Sequence, residues 1–85
     1  MGANMTVCEA VAKRIEDLLK EKQMTLYRLE QESGILHGSM ACIIKGRNKT
    51  VTLTTLMMLS RGFKMSVIEF LDSELFDINN LDIDD

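Results

Sequence analysis

The segment from Thr25 to Gly46 constrains the fold of this chain more than any other stretch. It reads Thr-Leu-Tyr-Arg-Leu-Glu-Gln-Glu-Ser-Gly-Ile-Leu-His-Gly-Ser-Met-Ala-Cys-Ile-Ile-Lys-Gly, two short amphipathic patterns meeting at Ser33-Gly34-Ile35. Thr25 suits a helix N-cap, because its hydroxyl can accept a backbone N–H that the first turn leaves unpaired. Gly34 stands where a helix ends in the left-handed region, which a residue without Cβ enters freely. Ile35 then anchors the turn. In the second pattern Met40, Ile43 and Ile44 follow the i, i+3, i+4 spacing of an inward stripe, and Gly46 closes it. Such a pair packs one helix behind and presents the other outward.

The presented face carries His37, Gly38, Ala41, Cys42 and Lys45. A solvated helix face is normally built from long charged side chains; this one is small and permits close approach to another surface. Gly38 costs the helix about 0.5–1 kcal/mol relative to alanine. On the first helix of the pair, Leu26 and Leu29 face the core, and Tyr27, Arg28, Glu30 and Gln31 are expected to be exposed.

The flanking sequence is helical too. Thr6 and Glu9 have capping-box spacing, and Val7, Val11, Ile15, Leu18 and Leu19 form a stripe reaching to about Lys22. Thr52 is a fitting N-cap for a fourth helix through Arg61, with a core stripe of Leu53, Leu56, Met57 and Ser60, and with Gly62 closing it. Ser66 and Glu69 repeat the capping-box spacing and open a short fifth helix with Ile68, Phe70 and Leu71. The chain has 85 residues and no proline, consistent with one all-α domain. Residues 1–71 form that domain, and residues 72–85 form an acidic C-terminal tail that frays, adds a short helix or docks on a partner.

Charge divides the chain unevenly. Asp72 to Asp85 contains six acids and no base, whereas residues 1–71 hold ten Lys and Arg against seven acids. No acid lies between Ser33 and Ile68, an interval that contains Lys45, Arg47, Lys49, Arg61 and Lys64. A localised positive surface inside an acidic protein is what phosphate binding uses.

Other function classes are excluded by size and residue type. A chain of 85 residues buries only about 60% of its unfolded surface and cannot enclose a sizeable active site, so no enzyme and no cofactor is expected. His37 has only Cys42 as a nearby soft ligand, too few for a zinc site. The two cysteines, Cys8 and Cys42, form no CxxC pair and read as reduced thiols of a cytoplasmic protein, with Cys8 a small buried apolar residue. No apolar run approaches a membrane span and no signal-peptide pattern opens the chain. Met57-Met58 exceeds what one helix face buries, which leaves one of the two at the surface.

Across roughly residues 7–71 the chain resembles the Cro/lambda-repressor-like helix-turn-helix regulators, often called the XRE family. Ile15, Leu18, Thr25, Leu29, Gly34, Ile35, Met40, Ile43 and Gly46 match that frame without a gap. Leu53-Thr54-Thr55-Leu56 looks like its opening of helix 4, and Phe63 to Phe70 like its ending. Leu26, Glu30 and Val51 depart from it, standing where glutamine, a small apolar residue and proline are common. The resemblance implies a five-helix lambda-repressor-like DNA-binding domain whose third helix enters the major groove of double-stranded DNA. By register Leu36, His37, Gly38 and Cys42 then face bases, Leu36 meeting a thymine methyl and His37 a purine edge. Ser39, Lys45, Arg47, Asn48 and Lys49 fall near phosphates, joined by Thr25, Tyr27 and Arg28 at the start of the second helix. The expected function is a transcriptional regulator acting as a homodimer. The alternative is an interaction module of the same fold, an antitoxin or adaptor, with a protein partner on the acidic tail.

Overall fold

A computed structural model of the protein describes residues 4–83; Asp84 and Asp85 of the acidic stretch lie outside the described residues. Five α-helices run in order: α1 (Val7–Glu21), α2 (Leu26–Ser33), α3 (His37–Lys45), α4 (Leu53–Gly62) and α5 (Val67–Leu71). The architecture is the five-helix one that the resemblance implied. Local chemistry explains most boundaries. Thr6 Oγ1 accepts the Glu9 N–H at 3.1 Å while the Thr6 N–H donates back to Glu9 Oε1 at 2.8 Å, closing a capping box at the head of α1. Ser66 and Glu69 close the same box on α5, at 3.1 and 2.9 Å. Thr25 and Thr52 cap α2 and α4 by accepting the N–H groups of Arg28 and Thr55. Gly34 at φ 82° and Gly46 at φ 65° end α2 and α3 in the left-handed region.

The core collects Val11, Ile15 and Leu18 from α1, Leu29 from α2, Ile35 and Met40 from the turn and α3, Leu59 and Phe63 from α4 and its end, and Phe70 from α5. Three packing expectations change. Leu53 and Met57 are exposed on α4, and the buried stripe runs instead through Leu56, Leu59, Ser60 and Phe63. The run Leu-Thr-Thr-Leu-Met-Met-Leu puts apolar residues on both faces of a helix, so spacing alone cannot choose between them. Ile44 lies at the margin of the core, facing a groove shared with α1 and Leu26. Ile68 is exposed at 78%, and α5 buries only Phe70 in full. The surface methionine of the pair is Met57; Met58 packs against the core.

Gly62 serves a purpose other than stopping a helix. The left-handed residue after α4 is Lys64, at φ 58°. A Cβ built on Gly62 would stand 2.7 Å from Leu29 Cδ1 and 2.9 Å from Ser33 Cβ, so glycine is what lets α4 close against α2. Gly62→Ala is therefore expected to lower stability by about 1–3 kcal/mol through overpacking, despite alanine's better helix propensity. Urea unfolding of the two proteins measures it, and an unchanged or higher midpoint would contradict the close approach.

Beyond α5 the acidic stretch folds back on the chain's own body. Short 3-10 turns at Glu74–Phe76 and Ile78–Asn80 lead to strand β2 (Leu81–Asp82), which pairs in parallel with β1 (Met5–Thr6). Phe76 packs onto Phe70 with ring centroids 6.2 Å apart. Leu75, Phe76 and Leu81 supply the inward side of this return, while Ile78, Ile83, Asp72, Glu74, Asp77 and Asp82 stay exposed.

Candidate nucleic-acid interface

The site begins with the way α3 is held. Met40 is fully buried beneath it and Ile43 packs against the core from the same helix. One flank faces α4, where Leu36, Ser39 and Ile43 line a shallow depression with Gly34, Thr55 and Met58. The outward surface is what remains: His37, Gly38, Ser39, Cys42 and Lys45 are all exposed, preceded by Leu36 at 78% exposure. Gly38 has no atom of the described residues within 4 Å of a built Cβ, so none of them requires glycine there. That openness leaves the face low and accessible.

The loop after α3 is pinned at its base. A Cβ on Gly46 would lie 3.1 Å from Glu9 Cα, so the end of α3 presses on the first turn of α1. Asn48 and Val51 border a small depression with Cys8, Val11 and Ile43. Arg47, Asn48 and Lys49 are exposed. Lys45, Arg47 and Lys49 make no ion pair with any of the described residues. The returning tail brings Asp82 to the same cleft as Lys49, together with Thr6, Val7, Thr50, Val51 and Ile83.

The five bases of the acid-free interval do not form one patch with one job. Arg61 donates to the Ser33 carbonyl at the end of α2, satisfying an orphan group of that helix. Lys64 pairs with Glu32 at 3.2 Å, and Arg28 reaches the other oxygen of the same carboxylate at 2.8 Å. Arg61 and Lys64 thus hold α4 and its end onto α2, leaving three cations beside the outward helix. Arg14 was not singled out by sequence reasoning, yet its guanidinium donates to the carbonyls of Phe70 and Glu69 at 2.7 and 3.0 Å, capping α5. Only its place on a polar helix face was visible, and that says nothing of a partner 56 residues away.

Lys64 first, and Arg28 second, hold the Glu32 carboxyl below the usual carboxylate range. A group whose folded pKa is depressed contributes stability above its unfolded pKa and loses it as pH falls through the folded value. Glu32→Gln should therefore flatten the acid limb of the stability curve. Denaturation midpoints of the two proteins are expected to differ at neutral pH and to converge below the carboxylate range; a constant gap across pH would rule the linkage out. In the core, burial pushes the Cys8 thiol above its ordinary value, in keeping with a structural role.

The second-helix candidates are split. Thr25 spends its hydroxyl on the α2 cap, and Tyr27 accepts a hydrogen bond from Gln31 Nε2 at 2.7 Å with its ring exposed. Glu30, expected on the exposed face, is instead mostly covered, its side chain 13% exposed, and its Oε2 lies 2.9 Å from His37 Nδ1. A short carboxylate-bearing side chain one turn before Gly34 can reach the start of α3 because the turn is so tight. Among the described residues no three His, Cys, Asp or Glu side chains converge as a metal set requires. No helix among them is long and apolar enough to cross a membrane.

The arrangement offers a low helix face flanked by three cations. Comparison with known proteins agrees on the fold. The backbone is similar to the crystal structure of prophage Lp1 protein 11, with a TM-score of 0.76 at 23% identity, over 86% of this chain and 96% of that one. No curated protein sequence matches the chain significantly. A model of the Cro/C1-type helix-turn-helix DNA-binding domain matches residues 14–74, from within α1 to the turn beyond α5. The chain belongs to that family, whose members bind DNA and regulate transcription.

Proposed function

We propose that the protein is a transcriptional regulator that inserts α3 into the major groove and lays the loop after it on phosphates, as a homodimer on a two-fold site. The observation that carries this reading is the juxtaposition of a low, exposed helix face with Lys45, Arg47 and Lys49 at its end, none engaged in an ion pair among the described residues. An α-helix about 10–12 Å across fits a major groove about 12 Å wide, and the nine residues of α3 give it about 14 Å of length to lie there. Leu36, His37, Gly38 and Cys42 lie toward bases in this pose. Ser39, Lys45, Arg47, Asn48 and Lys49 lie toward phosphates, with Thr25, Tyr27 and Arg28 meeting the backbone from α2. Phosphate contacts set position and the few side chains at the head of α3 set sequence. Exposed Ile68 and Ile78 give a second copy apolar surface to cover.

One observation favours a second reading. Leu53 and Met57, one turn apart, leave an uncovered apolar strip on α4, and the exposed acids of the tail suit a basic protein partner, as an antitoxin or adaptor would need. Selection of bound duplexes from a random pool at two salt concentrations, with the mass of the complexes, separates the two. The regulator reading expects an enriched inverted repeat carrying two chains, with half-sites about 34 Å apart or a multiple of it. No enrichment at either salt concentration would favour the interaction module.

A further inference from the structure

We infer that Glu30 is a positioning residue that fixes the tautomer of His37 and thereby determines which base edges α3 accepts. The inference rests on the reading of α3 as the base-reading helix. Its basis is the contact between His37 Nδ1 and Glu30 Oε2, 2.9 Å long and joining α2 to the first residue of α3.

The two partners differ sharply in surroundings. The Glu30 side chain is 13% exposed and the His37 side chain 84% exposed. Glu30 therefore approaches from the protein side of the imidazole, and its carboxylate has no other hydrogen-bond partner among the described residues. An ionised carboxylate has only acceptors, so the proton of this bond must sit on His37 Nδ1. In a neutral ring the remaining nitrogen, Nε2, then presents a lone pair. This inverts the tautomer that an unrestrained imidazole prefers, in which Nε2 carries the proton.

The consequence is chemical. In the major groove, adenine N6 and cytosine N4 offer N–H donors, whereas guanine N7 and O6, thymine O4 and adenine N7 are acceptors. A lone pair on Nε2 accepts from the first two and is repelled by the others. With Glu30 in place the neutral His37 selects an amino-bearing edge; the opposite tautomer would donate to guanine, thymine or adenine N7 and reject cytosine. Orientation of an imidazole by a carboxylate behind it is a general device for fixing which nitrogen acts.

The test has two arms on the full chain. Long-range proton–nitrogen spectra of the free protein, at alkaline pH with the neutral ring verified in the same spectra, report the tautomer without DNA. Duplex selection under the same conditions reports base preference. Wild type should show protonated Nδ1 and unprotonated Nε2, and Glu30→Ala should revert to protonated Nε2 while keeping its helical spectrum. At one base pair, wild type should discriminate against guanine and thymine, whereas the variant should admit them and discriminate against cytosine. A swing of about tenfold is expected, the worth of one hydrogen bond exchanged for one unmade. Glu30→Gln keeps an acceptor oxygen and should retain part of the wild-type bias in both arms. A wild-type ring protonated on Nε2, or a tautomer ratio unmoved by Glu30→Ala, overturns the inference whatever the DNA result. If the tautomer moves but base preference does not, and His37→Ala leaves preference unchanged as well, then His37 reads no base. In that event it is the assignment of α3 that fails.

Discussion

Charge reversal of Arg47 and Lys49 together is expected to weaken binding to every duplex by about 100-fold at low salt, roughly a factor of ten for each lost charge-assisted contact. The loss should be nearly independent of sequence, because phosphates carry no base information. The salt dependence is the sharper readout. Each phosphate neutralised by a protein cation releases condensed counterions and adds about 0.9 to the slope of log K against log salt. The double variant should therefore bind with a slope smaller by about two. Lys64→Gln supplies the control: Lys64 is paired with Glu32 at 3.2 Å, so its loss should leave the slope unchanged. A salt titration in which the loop variant keeps the wild-type slope would remove the loop from the interface. A titration in which Lys64→Gln matches the loop variant would mean that the acid-free interval acts as one undivided patch.

That division of cations marks the limit of what the sequence disclosed. Features written over three or four residues were legible: the capping boxes of Thr6 with Glu9 and Ser66 with Glu69, the Thr25 and Thr52 caps, and the left-handed glycines at 34 and 46. They sufficed to place five helices, because each boundary is decided by hydrogen bonds within one turn. Long-range partners left no such mark. Arg61 reaches Ser33 across 28 residues and Arg14 reaches Phe70 across 56; in sequence Arg61 counted toward the acid-free positive surface and Arg14 was only one base of a polar helix face. Gly62 read as a stop signal, whereas the crowding that requires glycine comes from α2.

The exposed face of α3 was legible by a similar rule. His37, Gly38, Cys42 and Lys45 fell on one face by helical spacing, and the structure leaves that face open. Glu30 was expected on the exposed face of its helix, beside Tyr27, Arg28 and Gln31 and away from Leu26 and Leu29. Its actual environment is made by the fold of the turn, which brings α3 over it. The α4 stripe failed for a different reason: a helix with apolar residues on two faces offers two equal solutions, and the choice falls to the elements packed against it. Leu59 and Phe63 win because Gly62 admits α2 on their side.

Phe70→Ala should give the largest loss of stability of any single substitution considered for this chain. Phe70 is fully buried and stands between two other rings, 6.4 Å from Phe63 and 6.2 Å from Phe76. It is the one fully buried residue of α5, a helix of five residues that has little stability of its own. Truncation removes the ring, leaves a cavity between α4 and the returning tail, and unseats the carbonyl that Arg14 holds at 2.7 Å. The expected cost is about 3–5 kcal/mol, set against the roughly 5–15 kcal/mol that holds a typical domain together. Thermal unfolding should shift down by about 12–40 °C, at roughly 4–8 °C for each kcal/mol in a domain of this size. Phe76→Ala should cost less, because Phe76 is only partly buried, and the double variant should fall short of additivity because the two rings share a contact. Ile68→Ala, on the same helix but exposed, should leave the unfolding of the single chain nearly unchanged and, in the proposed homodimer, weaken self-association instead. If Phe70→Ala and Ile68→Ala proved equally mild, α5 would not be part of the cooperative core. If Phe70→Ala, kept folded at low temperature, also lost DNA affinity, the interface would extend past α3 and its loop to the far end of the chain.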